Sequence, residues 1–216
     1  NSKVPYDPVK DFSPVSVISV SPMFLFVHPS FEAKSVKELV ALARKHPGKI
    51  TFASSGQGGS LHLFAELFKM LANVNLLHVP YKGAGPAVIE LIAGQVQMQF
   101  ASLPLLFGHV RSGKLRLIAQ TGETRSESAK DVPTMQESGL PGFVVRSGFS
   151  FVGPAGIAKP IADKLNLAMV TSIRHPENRK MLIQLGADPI GSSMEEHDAF
   201  IKSEIAKWIK MASAAG

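Results

Sequence analysis

Apolar positions alternate along the chain between short β-prone runs and longer segments with helical spacing. A capping box at Ser35-Val36-Lys37-Glu38 opens an amphipathic segment that continues to His46, where Pro47-Gly48 ends it. Residues 49–53 are then short, apolar and β-prone, and apolar residues recur at helical spacing from Leu61 to Leu71. This part of the chain therefore predicts a helix, a strand, a glycine-rich loop and a second helix.

The same alternation continues through residue 119. Strands are predicted at 76–79, 96–100 and 115–119, and helices at 84–93 and 103–111. Strands that alternate with helices of about ten residues indicate right-handed βαβ crossovers and a mostly parallel sheet. Residues 35–120 are therefore predicted to form one compact α/β lobe.

The two outer parts of the chain have few strands for their helices. A short helix is predicted from a capping box at 134–137, and three longer helices cover 159–173, 176–185 and 195–211. Only 149–152 and 188–190 are strand-like in this region, together with 15–20 and 25–27 near the start. We therefore expect both ends of the chain to build one lobe around an inserted one.

The expected division places the first lobe at residues 1–28 and 149–216 and the inserted second lobe at 29–148. The strands that cross between the lobes are then expected near 23–29 and 149–153.

Composition favours a globular protein that does not bind nucleic acid. Hydrophobic residues make up 45% and charged residues 19%, and no apolar stretch reaches the length of a membrane span. The formal net charge is +6, yet the densest basic cluster, Arg111, Lys114 and Arg116, contains no aromatic residue on which a base could stack. The positive charge is therefore interpreted as solvated surface.

Signs of catalysis, metal binding and cofactor binding are missing from the sequence. There is no cysteine, and the seven histidines show neither H-x-x-x-H nor H-E-x-x-H spacing. Leu61 breaks a dinucleotide-binding glycine pattern, Leu115 replaces the hydroxyl residue of a P-loop, and no G-x-S-x-G motif is present. We predict no catalytic residue, no metal ligand and no cofactor.

The most informative motif is the glycine-rich turn between the strand at 49–53 and its helix. Such a turn brings backbone N–H groups and a helix N-terminus to one point, where an anion can bind. The same residues also fit a plain helix start with Ser60 as N-cap, and the motif alone leaves both interpretations open. The candidate ligand-binding residues in this turn are Ser54, Ser55, Gly56, Gly58, Gly59 and Ser60.

Four further candidates follow the next two strands. Tyr81, Lys82 and Gly83 lie at the C-terminal end of one predicted strand, and Ser102 lies at the end of the other. Open α/β sheets bind ligands at this edge. A solvated lysine and an ordinary turn are the competing interpretations.

Several short motifs, in this order, resemble the Bug-type receptors, which are the solute-binding subunits of tripartite tricarboxylate transporters. The most specific is His78-Val79-Pro80-Tyr81-Lys82-Gly83. The others include Val4-Pro5-Tyr6-Asp7-Pro8, Ala53-Ser54-Ser55-Gly56, Glu66-Leu67-Phe68-Lys69, Asp131-Val132-Pro133-Thr134 and Lys207-Trp208.

The resemblance implies a two-lobed type II periplasmic-binding-protein fold with mostly parallel sheets flanked by helices. It also implies a periplasmic receptor that catalyses nothing, captures a small organic carboxylate between its lobes and delivers it to membrane transporter subunits. Family members begin with further βα units that precede the Tyr6-Asp7-Pro8 segment, so the first lobe is expected to be incomplete here. An N-terminal fragment or a partner chain is expected to complete it.

Two alternatives remain beside this hypothesis. Effector domains of LysR-type regulators share the two-lobed architecture and sense ligands, although they also need a DNA-binding helix-turn-helix. A truncated module of the same fold that binds nothing is the other alternative.

Overall fold

The computed structural model describes residues 5–214, and the side chains of residues 5–209. Within this range the chain forms two compact units. The first unit comprises residues 5–20 and Ser147–Lys210, and the second comprises Ser21–Arg146 together with 211–214.

The second unit is built on a five-stranded sheet with the order β4-β3-β5-β2-β6. Its strands are β2 (Phe24–Val27), β3 (Thr51–Ser54), β4 (Leu77–Pro80), β5 (Met98–Ala101) and β6 (Arg116–Gln120). Its helices are α1 (Val36–Lys45), α2 (Ser60–Ala72), α3 (Ala84–Ile92) and α4 (Leu103–Arg111). The predicted helices and strands of this region are thus present, with ends that differ by one or two residues.

Four of these five strands run in the same direction. β3 pairs in parallel with both β4 and β5, whereas β2 pairs antiparallel with β5 on one side and with β6 on the other. β6 therefore points the same way as β5. The expected mostly parallel sheet is present, with β2 as the one reversed strand.

Helices cover both faces of this sheet. On one face, α3 and α4 contribute Ala87, Leu91 and Leu106 to an apolar cluster that also contains Phe26 of β2. On the other face, Phe64 of α2 packs edge-on against Phe100 of β5, with 6.3 Å between the ring centroids. Burial on both faces explains why the central strand β2, Phe24–Val27, is apolar and buried at every position instead of alternating.

The first unit has a smaller sheet with the order β7-β1-β8, formed by β1 (Phe12–Pro22), β7 (Arg146–Pro154) and β8 (Asp188–Pro189). β1 pairs antiparallel with β8, so this sheet differs from the parallel one expected. Its helices are α5 (Lys159–Arg174), α6 (Pro176–Gln184) and α7 (Met194–Ala214). Ser193 and Glu196 cap α7 reciprocally, as the capping-box pattern predicts.

The observed division differs from the expected one at the first crossing. The chain passes into the second unit after Val20, not near residue 28, and returns after Arg146. The expected crossing strand at 23–29 is instead β2, which lies inside the second sheet because β5 and β6 pair with it on both sides. Every residue of β2 is apolar and buried, which fits a strand paired on both sides, but this local pattern does not reveal which strands pair with it.

The short helix expected from residue 134 is also absent from the structure. The capping-box hydrogen bonds do form, with Glu137 N donating to Thr134 Oγ1 at 3.1 Å and Thr134 N donating to a Glu137 carboxylate oxygen at 2.7 Å. Thr134 is held in a bridge to Gln120, and the residues that follow it form a turn. One hydrogen bond of helical spacing forms, from Ser138 N to Thr134 O at 3.0 Å, and Gly139 then ends the turn with φ of +95°.

Two buried polar side chains lack a hydrogen-bond partner among the described residues. They are Gln99 on β5 and His197 on α7, and both are fully buried. Gln99 is flanked in the sheet by Phe26 and Ala53. Burial lowers the pKa of His197, which favours its neutral form.

Replacing Gln99 with Met is expected to stabilise the protein. Met has a similar shape, and it removes two buried polar atoms that make no hydrogen bond, so we expect a gain of about 1–2 kcal/mol in the free energy of unfolding. Gln97→Met is the matched control, because Gln97 Oε1 accepts a hydrogen bond from Thr51 N at 2.7 Å and this change should be destabilising. Urea unfolding of both variants measures the difference, and a loss of stability in Gln99→Met would contradict the expectation.

Candidate functional site

The candidate site lies at one edge of the second unit's sheet. β4, β3 and β5 are neighbours in that order and run in parallel, so their C-terminal residues Pro80, Ser54 and Ala101 all reach this edge. Each strand is followed by a short loop and a helix. The loops therefore bring all ten predicted ligand-binding residues to the same edge.

Three helices begin at this edge without a side-chain cap. Gly59 is the N-cap of α2, Gly83 of α3 and Ser102 of α4, and none of the three helices has a side-chain hydrogen bond to its first turn. In α1, by contrast, the Ser35 side chain accepts a hydrogen bond from Glu38 N. The first-turn N–H groups of these helices, apart from Pro86 in α3 and Pro104 in α4, which have none, are thus left for another acceptor. The positive helix ends favour an anion.

Ser54 braces the glycine loop from inside. It is fully buried, and its Oγ lies 2.6 Å from His78 Nε2 and accepts a hydrogen bond from Gly56 N at 3.2 Å. Its backbone oxygen accepts a hydrogen bond from Tyr81 N at 3.0 Å, which ties the loop after β3 to the loop after β4. The hydroxyl that we expected to face a ligand is therefore occupied within the protein.

The other hydroxyl groups at this edge are unoccupied. Among the described residues, no hydrogen bond is made by the side chains of Ser55, Ser60 and Ser102, and Ser60 is exposed. Ser60 is the first residue of α2 and not its N-cap, because Gly59 holds that position. The alternative interpretation of Ser60 as the capping residue is therefore wrong.

Three glycines of the site adopt backbone conformations that favour glycine. Gly56 has φ of +142°, Gly58 of +75° and Gly83 of +111°, and a Cβ atom at Gly58 or Gly83 would meet nothing within 4 Å. Glycine is therefore favoured at all three positions, and the space beside Gly58 and Gly83 is open. Gly58 N donates a hydrogen bond to His62 Nδ1 at 3.2 Å.

Tyr81 and Lys82 have different environments. The Tyr81 side chain packs against the apolar cluster of the second unit, and burial, followed by the nearby Glu90 carboxylate, raises the pKa of its hydroxyl. Lys82 is exposed and makes no ion pair with any residue that the structure describes. Lys82 thus places a positive charge at the surface, whereas the Tyr81 ring is partly buried.

Two histidines behind the loop were not among the predicted site residues. The rings of His62 and His78 stack with 4.0 Å between their centroids, and Phe52 stacks on His78 at 4.8 Å. Burial lowers the pKa of His78, and the adjacent His62 lowers it further. No spacing rule links one histidine on a helix with another on the next strand, so the sequence carries no signal for this pair.

Two cavities in the second unit lie away from this edge. One, with a volume of about 340 Å³, is lined by Glu32, Glu38 and Lys45 among others, and a smaller one of about 180 Å³ is lined by His28, Glu32 and neighbouring residues. Carboxylates line the larger cavity and contribute to the smaller one, which disfavours an anionic ligand there. The uncapped helix ends are therefore the better candidate for anion binding.

The described residues 5–214 contain no helix that is long and apolar enough to span a membrane. The same residues contain no group of three or more His, Asp or Glu side chains placed to hold a metal ion.

Residues 1–216 of the chain match the tripartite tricarboxylate transporter family receptor. The chain belongs to this receptor family. Receptors of the family are periplasmic solute-binding proteins and not enzymes. The predicted family and the absence of catalytic function are thereby confirmed.

Curated relatives of this receptor are longer than the chain. A UPF0065 protein from the tcbD-tcbE intergenic region of Pseudomonas sp. strain P51 is 35% identical over 97% of the chain and 62% of its own length. Protein BugT of Bordetella pertussis is 32% identical over 99% of the chain and 65% of its own length. The chain thus spans less than two thirds of these relatives.

Two solved structures of similar proteins carry named carboxylates. Rpa4515 of R. palustris, determined with adipate, is 33% identical, with a TM-score of 0.84 over 99% of this chain and 72% of that one. MatC of Rhodopseudomonas palustris, with bound malate, is 29% identical, with a TM-score of 0.77 over 98% and 73%. These similarities confirm the predicted periplasmic-binding-protein fold.

Removing the Ser54 hydroxyl is expected to destabilise the receptor. Ser54→Ala leaves the Gly56 N–H and His78 Nε2 without their partner, which should lower the free energy of unfolding by about 1–3 kcal/mol. Ser60→Ala is the matched control and should change it by less than about 0.5 kcal/mol, because the Ser60 side chain is exposed. Equal effects of the two changes in chemical denaturation would show that Ser54 does not brace the loop.

Proposed function

We propose that this receptor captures a small organic carboxylate at the C-terminal edge of the second unit's sheet. The observation that carries this proposal is the convergence of three helix N-termini, those of α2, α3 and α4, none of which has a side-chain cap. Free first-turn N–H groups and positive helix ends bind anions without any charged side chain. The proposed ligand-binding residues are the loop residues that surround these ends, with backbone amides as the principal donors.

The hydroxyl groups give the proposed site its directional contacts. Ser55, Ser60 and Ser102 can each donate one hydrogen bond to a carboxylate oxygen, and Lys82 adds a positive charge at the end of β4. Ser54 and Tyr81 hold the loops in place. This division of roles supports a ligand with one or more carboxylate groups and little other charge.

Similar proteins support the same ligand class. Two related structures contain adipate and malate, which are both small dicarboxylates. We therefore propose aliphatic mono- and dicarboxylates as the class to which the ligand of this receptor belongs.

We propose that the receptor works in the periplasm and delivers its ligand to the membrane subunits of a tripartite tricarboxylate transporter. The family description names this transporter, and the described helices contain no membrane span.

The first unit exposes apolar side chains that need a cover. All residues of β7 from Gly148 to Val152 are exposed, and β7 is an edge strand of its three-stranded sheet; Phe149 is 62% exposed. In the helices of this unit Leu165 and Phe200 are half-buried, whereas Leu167 is 68% exposed. We propose that an additional segment, such as an N-terminal fragment, or a partner chain pairs with β7 and covers this surface.

Carboxylate binding is tested with a ligand panel and with a negatively charged side chain introduced into the loop. Adipate and malate are expected to raise the melting temperature of the protein, whereas neutral sugars and nucleotides are not. Gly58→Asp should weaken adipate binding at least about tenfold, because it places a negative charge in the cradle where a side chain has open space.

Gly58→Asn is the matched control for this change. Asn has nearly the same shape, and both Asn and Asp tolerate positive φ better than other side chains, so only charge separates the two variants. Calorimetry should give Gly58→Asn an affinity within about threefold of the unchanged protein. Stabilisation by neutral ligands alone, or equal affinities of the two variants, would contradict the proposed function.

The proposal that another segment or a partner chain covers the first unit is tested by measuring the mass of the purified protein. We expect mass spectrometry and light scattering to detect a retained fragment or a second chain. A monodisperse monomer of 23.2 kDa, with α5 and α7 protected from hydrogen exchange, would show that the first unit closes on itself and that this part of the proposal is wrong.

A further inference from the structure

The Gly58 amide already has an acceptor within the protein. Gly58 N donates to His62 Nδ1 at 3.2 Å, although Gly58 itself is exposed on the loop. An anion that enters the proposed cradle must therefore share this N–H or displace His62 from it. None of the other loop amides is held by a titratable side chain among the hydrogen bonds that the described residues make.

The surroundings of His62 define its protonation state when it accepts this hydrogen bond. Nδ1 is the acceptor, so a neutral ring carries its proton on Nε2, which lies 3.4 Å from Glu66 Oε1. Lys69 Nζ contacts the same Glu66 oxygen at 2.8 Å. The charged or titratable groups that face His62 are thus Glu66 and Lys69 on its own helix and His78 on β4.

A second proton on His62 would reverse the contact with Gly58. Protonated Nδ1 is a donor and cannot accept the Gly58 N–H, so the amide is released and a positive charge appears beside the loop. The Glu66 carboxylate is placed to stabilise that charge. Burial lowers the pKa of His78, which disfavours protonation of that neighbouring ring.

We propose that His62 is a positioning residue that controls whether the Gly58 amide is available to the ligand, and that protonation of His62 tightens carboxylate binding. This proposal rests on the proposed carboxylate site. Under this proposal, the affinity of the receptor for its carboxylate increases as the pH falls.

The test compares adipate affinity at pH 8 and pH 6, a range in which carboxyl groups stay mainly ionised and a histidine titrates. The unchanged protein should bind adipate about fivefold more tightly at pH 6, which is the effect of about one hydrogen bond. His62→Gln keeps an acceptor for Gly58 N–H but cannot titrate, and its affinity should change less than twofold. His109→Gln, in the last turn of α4, should keep the fivefold change.

A measurement without ligand separates the two proposals. In NMR spectra, His62 is expected to show the tautomer with its proton on Nε2 at pH 8, and the Gly58 amide resonance should shift with the same midpoint as the His62 ring. This shift should be lost in His62→Gln, and thermal melting shows whether each variant is folded.

The outcomes are distinct. If adipate does not bind to the unchanged protein at either pH, both proposals are wrong. If adipate binds but His62→Gln keeps the fivefold change, or if the Gly58 resonance does not follow His62, only the role of His62 is overturned.

Discussion

The parallel pairing of β3 with both β4 and β5 is the constraint on which the rest of the candidate site depends. Parallel strands need crossovers, and each crossover here is a helix that starts where its strand ends. Three adjacent crossovers therefore place the starts of α2, α3 and α4 at one edge. Had β3 paired antiparallel with a neighbour, the corresponding helix would begin at the opposite edge, and the amides would not converge.

The site combines this convergence with a local loss of stability. α1 and α7 begin with serine caps that satisfy their first-turn amides, whereas α2 and α3 begin with glycine and α4 with a serine that does not cap. A glycine N-cap in place of a capping serine costs only about a few tenths of a kcal/mol per helix. A bound anion would accept hydrogen bonds from the first-turn N–H groups and would thereby stabilise the complex relative to the free protein.

The glycine loop is held by groups behind it and leaves its outer surface free. Ser54 reaches Gly56 and His78 from within the fold, and His62 reaches Gly58 from the first turn of α2. The stacked rings of Phe52, His78 and His62 fill the space beneath the loop. A loop rich in glycine is thereby fixed by its neighbours, which reduces the conformational entropy that a ligand must remove on binding.

The sequence by itself determined the order and type of nearly all the elements, because capping boxes and apolar periodicity are local signals. It also determined the family, through ordered motifs such as His78–Gly83, and it placed the ten candidate residues at the ends of strands. Only the tertiary structure decided that β2 lies reversed inside the second sheet and that the Ser54 hydroxyl is turned inward. These outcomes depend on contacts between residues far apart in the chain, and no local pattern of hydrophobic and polar positions encodes such partners.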